Sequence, residues 1–135
     1  MRAWMAIALL VTACAAAAEA HHSLSGMYDQ GRRITVDGTI AQFQFVNPHP
    51  FVTIDVIGAN GMMQSWKAEL DNRRELLDIG MTPATIKPGD RVVVSGSPGR
   101  AQAALLLYVW RMERPADGFL YEQIGTSPRV SRLPR

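Results

Sequence analysis

The chain has 135 residues, with 14 Lys and Arg against 12 Asp and Glu and a single cysteine. A chain of this length builds one hydrophobic core, which excludes multidomain enzymes and large cofactor-binding folds. Nine basic residues face nine acidic ones between His21 and Glu113, so the formal net charge of +2 resides from Arg114 onward. The body lacks the concentrated basic excess of a phosphate-tracking surface, which argues against nucleic acid as a partner.

Residues 1–20 read as an export signal. Met1 and Arg2 precede an apolar run from Ala3 to Ala18, and Ala18-Glu19-Ala20 is a small-x-small cleavage pattern. The run is too short for a membrane span, and nothing later in the chain is long enough, so no integral span is expected. Cleavage after Ala20 starts the mature chain at His21 and removes Cys14, leaving no thiol for a disulfide, a zinc thiolate or a nucleophile. The expected location is the periplasm or the medium. Lipidation of Cys14 as a membrane anchor is the lesser alternative.

Residues 21–33 show no hydrophobic period and read as an N-terminal arm. Ile34, Val36, Gly38 and Ile40 alternate with polar residues as in a half-buried strand. Phe43 and Phe45 then fall off that register, and one extra residue near Ala41, a β-bulge, reconciles the two halves. Asn47-Pro48-His49-Pro50 breaks the strand, since two prolines remove ladder donors. Phe51 to Ile57 is a second strand, Gly58-Ala59-Asn60-Gly61 a hairpin turn, and Met62 to Leu70 a third strand with Trp66, Ala68 and Leu70 on its core face. Asp71 or Asn72 caps a short helix from Arg73 to Ile79, which Gly80 stops. Arg91 to Gly96 and Ala104 to Met112 are the fourth and fifth strands. Residues 114–135 turn to Pro, Ser, Gly and Arg and read as a loose tail. The order predicts an all-β domain over residues 34–113: a five-stranded antiparallel OB-like barrel with one short helix between strands three and four.

The chemistry-bearing residues are few. His21 and His22 open the predicted mature chain, and His49 lies in the Pro-flanked turn. A free His21 would offer an α-amine and an imidazole on one residue, both neutral ligands at mildly alkaline pH. Such nitrogen-rich ligation suits Cu(II) best, with Zn(II) as the alternative. Glu69 or Asp29 could add an oxygen. Strand alternation puts Glu69 opposite Trp66, so Trp66 belongs to the core. Phe43, Phe45 and Phe51 surround the His49 turn as core residues or as a stacking platform. The methionines are dispersed and read as packing, and Arg73-Arg74 as a solvated helix face. His22-Ser23 and the scattered carboxylates compose no hydrolytic triad.

Ala20-His21-His22-Ser23, Tyr28-Asp29, Gly38, Asn47-Pro48-His49, Trp66-x-x-Glu69, Gly89-Asp90-x-Val92-x-Val94-x-Gly96 and Asp117-Gly118, taken together, resemble a family of small exported bacterial proteins. That family is defined by a domain of unknown function and a His-His-Ser mature start. The resemblance implies an extracytoplasmic β-barrel-like domain and draws attention to its histidines, but implies no reaction. The sequence therefore points to an exported binding protein rather than an enzyme. It would hold a divalent metal, copper favoured, through His21, His22 and His49 with Glu69 as a weaker ligand. The alternative is a metal-free envelope module that recognises a peptide, glycan or protein through the surface near Phe45, Asn47 and Phe51.

Overall fold

The computed structural model of the chain describes residues 24–100 and 105–134. The expected signal in residues 1–20, with Cys14, and the expected roles of His21, His22 and Ala104 at the start of strand five lie outside the described residues. After a helical turn, α1 (residues 24–27), the chain forms β1 (Ile34–Gln44), β2 (Phe51–Ile57) and β3 (Met63–Glu69). Then come α2 (Arg73–Asp78), β4 (Arg91–Pro98), β5 (Leu106–Arg114), β6 (Phe119–Ile124) and β7 (Ser127–Arg132). Among the described residues, no helix is long and apolar enough to cross a membrane.

The sheet order is β3-β2-β1-β4-β5-β6-β7, and an additional parallel pairing of β3 with β5 closes the first five strands into a barrel. This is the OB-like architecture expected, with α2 between strands three and four. Alternating positions supply the interior: Val36 and Ile40 from β1, Val52 and Ile54 from β2, Val92 and Val94 from β4, Leu107 and Val109 from β5. Leu76 of α2, with Met81 and Ile86 after it, completes the core. The register of β1 on β2 shifts between Ile40 and Gln42, which places the bulge at Ala41 and turns Phe43 and Phe45 to pack against the core. Two glycines permit backbone crossings that a side chain would block. A Cβ at Gly38 would stand 2.4 Å from the Asp55 carbonyl oxygen, and one at Gly96 would stand 2.1 Å from that of Tyr108.

The reading of residues 114–135 as a loose tail is wrong. Residues 119–132 form the β6–β7 hairpin, which pairs with the outer half of β5. Phe119, Leu120 and Tyr121 are buried, and Tyr121 is wholly inaccessible. The Gly and Pro residues that suggested a loose end instead punctuate it. Gly118 and Gly125 take positive φ in the two turns, and Pro128 sits in an edge strand, where its missing N–H costs no ladder bond. Arg114 locks the hairpin to the barrel by donating to Asp90, Asp117 and the Thr85 carbonyl. The arm is docked as well: the Asp29 N–H donates to the Pro98 carbonyl and the Arg100 N–H to that of Met27, with Tyr28 bridged to Gly99 between them.

Candidate functional site

The Asn47–Pro50 turn lies between β1 and β2, one of the positions where barrels of this type bind ligands. Its backbone is tied to the segment after β3. The Leu70 N–H donates to the Pro50 carbonyl at 2.9 Å, and the Arg73 N–H donates to that of Pro48 at 2.9 Å. Asn72 caps α2 by accepting from the Glu75 N–H, so the anchoring segment is itself fixed. His49 therefore projects from a braced turn with its side chain 30% exposed.

The imidazole has a defined orientation. Nδ1 stands 3.1 Å from the Leu70 carbonyl oxygen, which only accepts, so Nδ1 carries the hydrogen. In the neutral ring this leaves the lone pair on Nε2, for which no described residue provides a hydrogen-bond partner. Glu69 Oε1 approaches the same Nδ1 at 3.6 Å, so the carboxylate stands behind the ring rather than beside Nε2. Tyr28 donates its hydroxyl to the other oxygen, Oε2, at 2.5 Å. Burial, reinforced by this bond to Glu69, pushes the Tyr28 hydroxyl well above the usual phenol range and keeps it a donor. A backbone carbonyl and a carboxylate behind one imidazole nitrogen, with the other nitrogen open, is the arrangement that orients metal-ligating histidines.

His49 and Glu69 share a cleft of about 250 Å³ with Asn47, Phe51 and Lys67. Lys67 lies over the Phe51 ring at 3.8 Å, and Arg73 over the Phe45 ring at 5.2 Å. These aromatic faces are thus engaged by the chain's own cations, and Arg73 is more than a solvated residue. Trp66 is half-buried against the core, and its indole N–H is buried without a partner among the described residues. Asp29 accepts from the Gly31 N–H in the arm, which closes a local turn. Among the described residues, no group of three His, Cys, Asp or Glu side chains converges as a metal cage. The structure brings together His49 and Glu69. It also supplies Tyr28, whose part the sequence reading missed: it is the only aromatic residue of the arm, and that was the one local signal.

The family model described as a family of unknown function, DUF6152, matches residues 8–106. The chain belongs to the DUF6152 family. The matched range takes in the His49 turn and Glu69 and ends at the start of β5, so the β6–β7 hairpin lies beyond it. No curated protein matches this DUF6152 chain. Among solved structures it is similar to the dimeric N-terminal domain of PriB protein from Thermoanaerobacter tencongensis, at 13% identity and a TM-score of 0.38. That likeness covers 78% of this chain and 99% of the other.

Proposed function

We propose that this DUF6152 barrel is an exported protein that binds a divalent metal, copper favoured over zinc. His49 supplies the barrel's ligand through Nε2, and the His21 amine and imidazole with the His22 imidazole complete a nitrogen set suited to Cu(II). The observation that carries the reading is the held tautomer of His49: Nδ1 is committed to the Leu70 carbonyl and backed by Glu69, and Nε2 is open. Glu69 then acts behind the ligand, setting the imidazole's orientation and basicity instead of coordinating directly. Chain geometry supports the pairing of arm and turn. Tyr28 is anchored on Glu69, directly behind His49, and only five residues separate it from His22.

The test is a Cu(II) titration of protein exported and processed to a free His21, followed by EPR and affinity. The expected result is a single nitrogen-rich Cu(II) signal and an affinity above that of a free His-His peptide. A chain beginning Met-His21 loses the basic amine and should bind at least ~10-fold more weakly, about 1.4 kcal/mol. Affinity equal to the free peptide's would sink the metal reading and leave the metal-free interaction module.

A further inference from the structure

A second cavity, of about 290 Å³, lies where the arm meets β5 and the β6–β7 turn. Leu24 and Gln30 of the arm, Asp71, Gln123 and the rings of Tyr108 and Trp110 form its walls. Asp71 is only 8% exposed, yet no Lys, Arg or His lies within ion-pair distance of it among the described residues. Its oxygens accept only neutral donors, the Asn72 N–H at 2.6 Å and the Gln123 amide at 2.7 Å. Carboxylates are rarely so buried without a cationic partner. Nearby, Glu75 Oε2 is buried without a hydrogen-bond partner among the described residues.

The rings extend the argument. Tyr108 is 7% exposed, and its hydroxyl has no hydrogen-bond partner among the described residues. Burial pushes that hydroxyl above the usual phenol range, and the negative charges of Asp71, Glu69 and Glu75 push it further. Tyr108 and Trp110 stand edge to face at 5.8 Å, with Tyr28 beyond at 5.7 Å from Tyr108. Arg33 lies over the Trp110 ring at 4.2 Å and engages that face, which leaves the ring's other face and Tyr108 for a ligand. Its NH1 donors go to Ser97 Oγ and the Gln30 and Arg32 carbonyls, and none reaches Asp71.

We propose that this cavity binds a small organic cation, a substituted ammonium group seated between Asp71 and the Tyr108–Trp110 wall. Aromatic faces and a desolvated carboxylate together recognise such a group, and the volume is at the small end of ligand pockets. Gln30 and Gln123 would hold polar groups on the ligand's remainder. The site is separate from His49, and it stands or falls independently of the metal reading.

The experiment titrates the chelator-treated full chain with choline and, in parallel, with 3,3-dimethyl-1-butanol, its neutral carbon isostere, following calorimetry and the Trp110 indole N–H resonance. Saturable choline binding at millimolar concentration or below is expected, with the isostere at least ~10-fold weaker. Asp71→Asn should weaken choline at least tenfold, and Trp110→Leu should do the same without touching the carboxylate. The isostere comparison uses the unaltered chain, so it decides the matter even where a variant fails to fold. Equal binding of the isostere, or no saturable binding of choline, would overturn the proposal.

Discussion

Tyr28 carries a structural argument that one atom can test. Its side chain is buried, and its hydroxyl donates to Glu69, which stands behind His49. Tyr28→Phe keeps the ring and removes only the donor, so it should cost about 1–3 kcal/mol. An unchanged urea midpoint would contradict the bond's importance. Asp117 makes a second residue-level test, in pH. Its carboxyl accepts from Arg114 and Arg132, and these bonds hold it well below the usual carboxylate range. A pKa depressed by folding contributes stability above the unfolded value near ~3.9 and loses it as pH falls below that value. Asp117→Asn should therefore lower stability at neutral pH and flatten the acid limb of the stability–pH curve. Parallel curves for the two proteins would contradict this. His49 was legible from its residue type and its Pro-flanked setting. The partner of its Nδ1 was not, because Leu70 contributes a main-chain carbonyl that no side-chain pattern reveals.

At the scale of elements, β1 followed from period-2 alternation, β4 from its run of valines, and the bulge at Ala41 from the slip of Phe43 and Phe45 off the even register. The β6–β7 hairpin did not follow. Its apolar run is three residues long, Phe119-Leu120-Tyr121, and the strand is bounded by Gly118 and Gly125, so local composition resembled an end rather than a hairpin. What decides its order lies outside the run itself: pairing with β5 and the Arg114 bonds to Asp90 and the Thr85 carbonyl. Tyr121→Ala should accordingly destabilise the whole domain by about 3–5 kcal/mol, as large-to-small core truncations do. A cost below ~1 kcal/mol in chemical denaturation would show the hairpin to be an appendage. The β4–β5 crossing gives a complementary test. Gly96→Ala places a methyl against the Tyr108 carbonyl, a backbone atom that cannot swing aside, and should cost more than ~2 kcal/mol.

The whole molecule is a five-stranded OB-like barrel with its arm docked across it and a C-terminal hairpin that widens the sheet. Its charges are organised in the same way. The basic excess assigned to a free tail is in large part paired, with Arg114 and Arg132 on Asp117 and Arg129 on Glu122. The chain's length and strand order suggested the barrel, and the parallel pairing of β3 with β5 is what closes it. Residue types alone left the division of labour between His49 and Glu69 open, because strand alternation specifies a face but not which ring nitrogen meets the carboxylate. In the metal reading proposed above, His49 Nε2 is the barrel's ligand, and Glu69 stands behind it on the Nδ1 side. The most direct test is the Cu(II) affinity of processed His49→Gln against the parent protein. Gln retains a donor for the Leu70 carbonyl but offers no imidazole lone pair. The account predicts at least a ~10-fold loss of affinity, about 1.4 kcal/mol, and loss of one nitrogen from the EPR hyperfine pattern. Unchanged affinity with an unchanged spectrum would contradict it.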